Sequence, residues 1–264
     1  MAQGCNLLEL DLMRTRDDEM VCCHDDDLGR LAGRPDKAVS DFDYADLPPM
    51  LQSLKDEDEP FVYTLTEKDD PTWLKLGDLF ANMPDHVFYS IDLREVDKST
   101  ADLVFAIVKA YGVEKRILWG SSVPETHDYL LELDPGIARY YDEGAVISTF
   151  MWYILGLLFL RKLDCDFFMA PVMTSEEVWR QNWIRKERGS WSSYIVKVIL
   201  YKLLQTVGIW MYPHLRKRGN AVILWVPNEV TEFGKIKSMW RVDGLMTDRP
   251  SKLREWVEDY QMIE

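Results

Sequence analysis

The segment Leu8–Asp26 concentrates side chains that could do chemistry. It reads LELDLMRTRDDEMVCCHDD and places Glu9 and Asp11 two residues apart. In a β-strand this spacing directs both carboxylates to one face, while Leu8 and Leu10 point to the other. Two neighbouring carboxylates repel each other unless a cation lies between them, and a divalent ion with oxygen ligands is the natural candidate. The alternative is a strand face that is simply solvated.

Further candidate site residues follow two other predicted strands. Met20–Cys23 predicts a short strand that ends at His24 and Asp25, and Asp92 ends a second apolar strand, with Arg94 on the same face. In α/β barrels the catalytic residues lie at the carboxyl ends of the strands. Three carboxylates at that end could bind Mg²⁺ or Ca²⁺, and the planar guanidinium of Arg94 could bind a phosphate. The alternative for Asp92 and Arg94 is a surface ion pair worth less than about 1 kcal/mol.

The elements that must position these residues alternate between short apolar strands and longer helices. Such alternation indicates a parallel sheet with right-handed crossovers, so the predicted fold class is α/β, a TIM (β/α)8-type barrel. The predicted strands are Leu7–Leu12, Met20–Cys23, Val87–Leu93, Arg116–Trp119, Ile137–Tyr141, Asp166–Ala170, Ala221–Val226 and Gly244–Thr247. The predicted helices are Thr72–Asn82, Ser99–Tyr111, Pro124–Leu133, Ser192–Arg218, Glu229–Met239 and Ser251–Tyr260.

Length and composition narrow the class of protein. The chain has 264 residues, 47% of them hydrophobic, and no Ser/Gly-rich or Pro-rich linker, so we expect a single domain over residues 1–264. A net charge of −14 argues against binding to nucleic acid, which rewards a basic surface. Adjacent Cys22 and Cys23 would point to opposite faces of a strand. The four cysteines therefore predict neither a disulfide framework nor a zinc site, but reduced thiols in a protein that faces the cytosol.

One apolar segment does not fit an ordinary barrel. Ala145–Leu160 has no charged residue and is followed by Arg161 and Lys162. As a helix it would be about 24 Å long, short of the roughly 30 Å hydrocarbon core of a bilayer. We favour a re-entrant or interfacial membrane-associating insertion over a buried core helix or a true span. The second apolar segment, Tyr194–Tyr212, favours an outer barrel helix with a wide apolar face.

Together these motifs resemble the glycerophosphodiester phosphodiesterase family. Its pattern of an E-x-D strand, a turn ending in H-D and then L-x-R-x-x-G is matched by Glu9, Asp11, TRDDEMVCCHDD (Thr15–Asp26) and LGRLAG (Leu28–Gly33). Later matches are DFDYADLPP (Asp41–Pro49), ILWGSS (Ile117–Ser122), ILWVPNE (Ile223–Glu229) and VDGLMTDRPSKLREWV (Val242–Val257). The sequence resembles most closely the membrane-associated animal subgroup that acts as lysophospholipase D, whose members carry a similar hydrophobic insertion.

The resemblance implies a role for each candidate residue. Glu9, Asp11 and Asp92 would hold a divalent metal, Mg²⁺ or Ca²⁺, and His24 would exchange a proton with the reacting or leaving oxygen. Arg94 and Trp225 would line the phosphate and substrate pocket.

The implied reaction is hydrolysis of lysophospholipids or glycerophosphodiesters to lysophosphatidic acid or glycerol phosphate plus a head-group alcohol. In the family the neighbouring glycerol hydroxyl is thought to attack first, giving a cyclic phosphate. The implied location is an intracellular membrane such as the endoplasmic reticulum, on its cytoplasmic face, and no nucleic acid partner is implied.

One family feature has no match in the sequence. The family begins with a strand that ends in H-R-G, followed by an E-N motif and a helix. The remaining histidines, His86, His127 and His214, are expected to be structural or surface residues. We therefore expect an N-terminally truncated barrel that lacks its first strand and helix and hydrolyses lysophosphatidylcholine or glycerophosphodiesters poorly or not at all. The alternative to an enzyme is a catalytically inactive membrane-associated isoform or fragment that keeps the metal acids.

Overall fold

The computed structural model describes residues 4–55, 62–67, 69–93, 98–172 and 191–261. They divide into two compact units. The N-terminal unit comprises Asn6–Ala138, and the C-terminal unit comprises Arg139–Glu264 together with the first residues of the chain. Each unit has its own sheet and its own apolar core.

The N-terminal unit is built on a five-stranded sheet in the order β2-β1-β5-β6-β7. Neighbours β1, β5 and β6 are parallel, whereas β1 and β2 form an antiparallel hairpin. A separate antiparallel pair, β3 and β4, lies between β2 and β5 in the sequence. The strands are β1 Leu7–Arg14, β2 Met20–Cys22, β3 Ser53–Lys55, β4 Val62–Thr64, β5 Phe88–Asp92, β6 Ile117–Gly120 and β7 Ala138–Arg139.

Three helices, α2 Leu76–Asn82, α3 Lys98–Tyr111 and α4 Pro124–Leu133, cover one face of this sheet. The short helix α1 Gly29–Ala32 packs instead with Met13 and Val21 on the opposite face. Helix α3 buries Ala101, Val104 and Val108, whose spacing of three and four places them on one side of a helix. Proline at the first position of α4 suits a helix start, because the missing N–H has no intrahelical partner there. The resulting core joins α2, α3 and α4 to alternate residues of the strands, so the other strand residues lie on the face opposite these three helices.

The C-terminal unit repeats this plan with a three-stranded parallel sheet in the order β10-β9-β8. Its elements are α5 Glu143–Ile154, β8 Phe167–Pro171, α6 Trp191–Lys217, β9 Ala221–Trp225, α7 Val230–Trp240, β10 Gly244–Met246 and α8 Pro250–Gln261. Aromatic rings hold its core together. The Phe168 ring of β8 lies 5.7 Å from that of Phe150 in α5 and 6.0 Å from that of Tyr212 in α6, centroid to centroid.

The predicted elements are present, with small shifts at their ends, and the α/β class is confirmed. The β3–β4 hairpin was not predicted, because its strands are only three residues long and carry no apolar alternation. Closure into a barrel, the single-domain organisation and the lack of a first strand and helix stay predictions.

The apolar insertion folds as α5 followed by a 3-10 turn at Leu158–Leu160. Asp142 caps α5 by accepting a hydrogen bond from the Ala145 backbone N–H at 2.9 Å. Among the helices within the described ranges, none combines the length and the apolar composition needed to cross a membrane.

Candidate active site

Three acidic residues, Glu9, Asp11 and Asp92, lie on the face of the N-terminal sheet opposite α2–α4 and are called the acidic row. Asp11 and Asp92 are direct partners in the parallel register of β1 and β5, and Glu9 lies opposite Ser90 in the same register. Their neighbours Leu8, Leu10, Tyr89 and Ile91 pack into the helical core, so the acids project from the other face. Paired strands lie about 4.8 Å apart. The structure thus places Asp11 and Asp92 side by side as the last pair of the parallel β1–β5 ladder, at its carboxyl end.

His24 reaches this edge because β2 is bound to β1. The hairpin register ends at Leu12 and Cys22, and the Cys23 backbone N–H then donates to the Asp11 carbonyl oxygen at 3.0 Å. The next residue is His24, whose side chain is exposed. A backbone hydrogen bond therefore fixes the position of His24 relative to the acidic row.

An ion pair holds the residue that follows His24. Asp25 Oδ1 lies 3.3 Å from His24 Nδ1, and the Arg30 guanidinium donates to both Asp25 oxygens, from Nη2 at 2.5 Å and from Nε at 2.7 Å. Arg30 also donates to the Lys55 carbonyl oxygen at 3.0 Å. Burial raises the pKa of Asp25, but hydrogen bonds from His24 and Arg30 outweigh it and lower that pKa to about 2. Asp25 is a carboxylate at neutral pH.

Sequence reasoning did not give Asp25 and Arg30 a role. The signal was present in LGRLAG, whose arginine is Arg30 and whose Gly33 ends α1 in the left-handed conformation with φ of 70°. The motif thus supplies the guanidinium that binds Asp25.

The two thiols beside the site are not activated. Cys22 packs toward the helical core and Cys23 toward the cluster around Met13 and Leu28, so they point to opposite faces, as predicted. Burial raises the pKa of Cys22 to about 12 and that of Cys23 to about 11. Both are neutral thiols at physiological pH and poor nucleophiles.

The acidic row fits a hard divalent cation by donor chemistry. Its carboxylate oxygens are the ligands that Mg²⁺ and Ca²⁺ take, and Glu9, Asp11 and Asp92 share one face of the paired strands β1 and β5. Within the described ranges, no three His, Cys, Asp or Glu side chains form a group already arranged to hold a metal ion. The residue types and their places in the sheet therefore fit the ion, and the ligand set stays a proposal.

Trp225 lies at the corresponding edge of the C-terminal sheet. It ends β9 and stands in register between Pro171 of β8 and Met246 of β10. Neighbouring Leu224 packs into the core with the helices, so Trp225 projects from the helix-free face. Arg94, the predicted phosphate ligand, lies outside the described residues.

A buried polar network fixes the loops that follow β9 and β10. The Asn228 amide donates to Asp248 Oδ2 at 2.9 Å, and its oxygen accepts from Thr247 Oγ1 at 2.8 Å and the Asp248 N–H at 3.0 Å. The fully buried carboxyl group of Glu232 accepts from the backbone N–H groups of Asn228 and Glu229 at 2.7 and 2.9 Å. These bonds tie the segment after Trp225 to the end of the neighbouring strand.

The remaining histidines lie away from the acidic row in sequence and element. His86 is exposed before β5, and His127 is buried in α4. His214 in α6 stacks edge-on against Tyr153, with ring centroids 6.1 Å apart.

Acidic side chains lie at the carboxyl end of the parallel β1–β5 ladder, and the β1–β2 hairpin brings the His24 imidazole to them. This arrangement places the protein in the class of α/β proteins that carry their active site at this edge of the sheet. A model of the glycerophosphoryl diester phosphodiesterase family matches residues 1–140, and the chain belongs to this family. By family resemblance it is a phosphoric diester hydrolase.

Individual relatives agree with the family match. Lysophospholipase D GDPD1 of Rattus norvegicus is 27% identical over 257 residues, which cover 97% of this chain and 78% of the relative. Lysophospholipase D GDPD3 of Homo sapiens is 25% identical over 266 residues, covering 98% and 78%.

Solved structures share the fold. A glycerophosphodiester phosphodiesterase from Agrobacterium tumefaciens gives a TM-score of 0.60 at 14% identity, covering 97% of this chain and 88% of that one. An Oleispira antarctica phosphodiesterase, in complex with the product sn-glycerol-3-phosphate, gives 0.59 at 15% identity, covering 97% and 87%.

Proposed function

We propose that this protein is a metal-dependent phosphodiesterase of the lysophospholipase D type, which hydrolyses lysophospholipids or glycerophosphodiesters to lysophosphatidic acid or glycerol phosphate plus a head-group alcohol. The observation that carries the proposal is the pairing of Asp11 with Asp92 on the face opposite α2–α4, with Glu9 on the same face. The substrate class is supported by the relatives, which are named lysophospholipase D.

In this proposal Glu9, Asp11 and Asp92 hold the divalent ion through carboxylate oxygens. A bound Mg²⁺ or Ca²⁺ would polarise the phosphoryl oxygen and offset the charge that develops during phosphoryl transfer. The three acids alone would repel an anionic phosphodiester, so without the ion they disfavour substrate binding. Activity should therefore depend on the ion.

His24 is the proposed proton-transfer residue. With its Nδ1 proton directed at the Asp25 carboxylate, the imidazole keeps its basic lone pair on Nε2. That nitrogen can take the proton from an attacking hydroxyl or return one to the leaving alcohol oxygen. Arg30 acts on His24 only through Asp25, so it is a positioning residue.

Trp225 is proposed to contact the substrate, and Arg94 to bind its phosphate. Support for Trp225 comes from its place at the carboxyl end of β9, on the helix-free face, between Pro171 and Met246. A large apolar side chain among apolar neighbours suits the uncharged part of a lipid substrate better than its phosphate. For Arg94 the support is the family resemblance alone.

We also propose that the protein works at the cytoplasmic face of an intracellular membrane. The support is the insertion, where Ile147, Met151 and Leu155 are exposed at a spacing of four along α5 and the turn after it. Apolar side chains in such a row suit the interfacial layer of a bilayer.

The test is hydrolysis of lysophosphatidylcholine and glycerophosphocholine by the purified protein, measured as choline release with Mg²⁺, with Ca²⁺ and after chelation. We expect the turnover to be slow, because the H-R-G segment of the family has no match in this sequence, and to require the ion. It should be abolished by Asp92→Asn and fall about 10²- to 10⁴-fold in His24→Ala. Asp85→Asn is the matched control, because Asp85 is a fully exposed carboxylate that precedes the same strand.

Two results would contradict the proposal. Turnover that survives chelation would remove the role of the acidic row, and equal losses in Asp85→Asn and Asp92→Asn would remove its specificity. An inactive protein that still binds the ion through Asp92 would favour the alternative, a non-catalytic relative that keeps the metal acids.

A further inference from the structure

The outer face of helix α6 carries a row of exposed apolar side chains. Ile195, Ile199 and Leu203 follow one another at a spacing of four, and their side chains are 37%, 63% and 50% exposed. Trp210, 62% exposed, continues the row seven residues later. At 3.6 residues per turn these four positions fall within about 80° of the helix circumference. They form one continuous apolar row on the surface.

The first half of this row extends past the sheet that α6 packs on. Three residues separate the end of α6 from β9, so the carboxyl end of the helix lies at the amino ends of the strands. Among the α6 side chains that the structure describes, Val207 is the first to pack against the core, and Val207–Lys217 is about as long as the five residues of β9, roughly 16 Å. Ile195, Ile199 and Leu203 therefore lie about 6 to 18 Å farther along, beyond the strand ends that carry Trp225.

The charge of α6 is opposite to that of the chain. Trp191–Arg218 contains five Lys or Arg residues and no Asp or Glu, although the whole chain has a net charge of −14. The side chain of Lys202 is exposed beside Leu203. A helix with an apolar row and only basic charges is typical of segments that lie on anionic lipid surfaces.

The apolar end of the insertion lies elsewhere. The Arg218 guanidinium donates to the carbonyl oxygens of Leu158 and Arg161, both at 2.7 Å, and Arg218 lies three residues before the first residue of β9. The exposed side chains of Leu155, Phe159 and Leu160 therefore gather at the amino ends of the strands, away from Trp225. Of these two surfaces, only the first half of α6 lies next to the strand ends where the substrate contact is proposed.

We propose that Ile195, Ile199, Leu203 and Trp210 dock onto a lipid surface that carries anionic head groups, with Lys202 contacting their phosphates. Docking here holds the carboxyl ends of β8–β10 next to the lipid layer, where a lysophospholipid can pass to Trp225 with its acyl chain partly in lipid. A second copy of the chain is a poorer occupant, because a two-fold contact through α6 would bring two helices without acidic residues face to face. The delivery of a lysophospholipid to Trp225 rests on the proposed function, whereas the docking of α6 onto lipid does not.

The experiment measures binding of the full chain to vesicles, without turnover. Phosphatidylcholine vesicles with and without phosphatidylserine are separated by flotation, and the bound fraction is compared for three variants. We expect Ile195→Ser/Ile199→Ser/Leu203→Ser to weaken binding about tenfold or more, since three apolar side chains leave the lipid layer. Lys202→Glu should weaken binding only when phosphatidylserine is present.

The third variant, Leu155→Ser/Phe159→Ser/Leu160→Ser, tests the insertion, which is the other surface proposed to contact the membrane. It removes a similar apolar area, and we expect a smaller loss than in the α6 variant. A greater loss in the insertion variant would overturn the proposal by assigning the docking to the insertion, and parent-like binding by the α6 variant would overturn it as well. Dissociation of a dimer in the α6 variant, with vesicle binding unchanged, would assign the surface to a second copy.

Two further measurements separate the possible failures. Circular dichroism melts check that the variants fold, and if the triple variant does not, Ile199→Ser and Lys202→Glu carry the test alone. Hydrolysis of glycerophosphocholine, which has no acyl chain, should be unchanged in the α6 variant. A parent that hydrolyses it but binds no vesicle would overturn the docking surface and leave the proposed function standing.

Discussion

Asp25 links the chemistry of the site to its stability. It contacts His24 on one side and takes two hydrogen bonds from Arg30 on the other, while its side chain is only 13% exposed. A two-pronged arginine contact fixes the direction of a carboxylate as well as its charge. His24 is thus oriented by a group that is itself held in place.

Removal of Arg30 should destabilise the protein in a pH-dependent way. The folded pKa of Asp25, about 2, lies below its ordinary value of 3.8, so its carboxylate contributes stability that is fully present above about pH 4 and lost as the pH falls toward 2. We expect Arg30→Gln to lower the free energy of unfolding by about 2 kcal/mol at pH 7, with a smaller deficit below pH 4. Urea unfolding across this pH range measures the effect, and a deficit that grows on acidification would refute the linkage.

Some of this site could be predicted from the sequence, and some could not. The spacing of two between Glu9 and Asp11 fixes their common face, because side chains alternate along any strand. The pairing of Asp25 with Arg30 depends instead on the turn between Asp25 and α1, where neither spacing nor periodicity gives a direction. The sequence therefore predicts which side chains share a face of one strand, but it does not predict a pair that is brought together by a loop.

Gly208 of α6 is a position where close packing affects which residue is tolerated more strongly than helix propensity does. A Cβ atom at Gly208 would lie 2.6 Å from Cζ of Tyr212, and that ring is buried between α6, α5 and β8. The ring has no free space into which it could move without disturbing Phe150 and Phe168.

We expect Gly208→Ala to destabilise the protein by about 1 to 3 kcal/mol, although alanine favours a helix by about 1 kcal/mol. Gly234→Ala in α7 is the control, since a Cβ there would meet nothing within 4 Å, and it should stabilise by a few tenths to about 1 kcal/mol. Chemical denaturation of both variants decides the matter. A gain in stability from Gly208→Ala would show that the Tyr212 ring adapts.

The insertion shows where reasoning about elements falls short. It leaves the sheet after β7, and the carboxyl end of a barrel strand lies at the active-site edge. A helix of twelve residues spans about 18 Å, slightly more than a five-residue strand, so α5 carries the chain to the opposite edge. Leu158, in the same apolar run, is buried. Composition alone cannot separate its core residues from its exposed ones, because both are apolar.

At the scale of the whole molecule, both units follow one plan. In each, an apolar core joins helices to one face of parallel strands, and the proposed site residues lie on the opposite face, with Asp11, Asp92 and Trp225 at the carboxyl end of the parallel ladder. Alternating strands and helices made the α/β class predictable. Closure of the sheets is not encoded in any local pattern, since it depends on how strands far apart in sequence meet.

The whole chain should also respond to a divalent ion in a way that separates specific binding from screening. Because its net charge is −14, any added salt reduces self-repulsion and raises the melting temperature. Specific binding adds a further term by mass action, about 2.7 kcal/mol at a free ion concentration near 100 times Kd, which corresponds to several degrees.

We therefore expect Mg²⁺ or Ca²⁺ to raise the melting temperature more than NaCl does at the same ionic strength. The excess should vanish in Asp92→Asn and persist in Asp85→Asn, because both variants change the net charge equally and only Asp92 belongs to the acidic row. Differential scanning fluorimetry on the three proteins measures the excess. If Asp92→Asn keeps the excess rise in melting temperature, the ion binds at a site that does not include Asp92, because a ligand stabilises the folded state only where it binds that state.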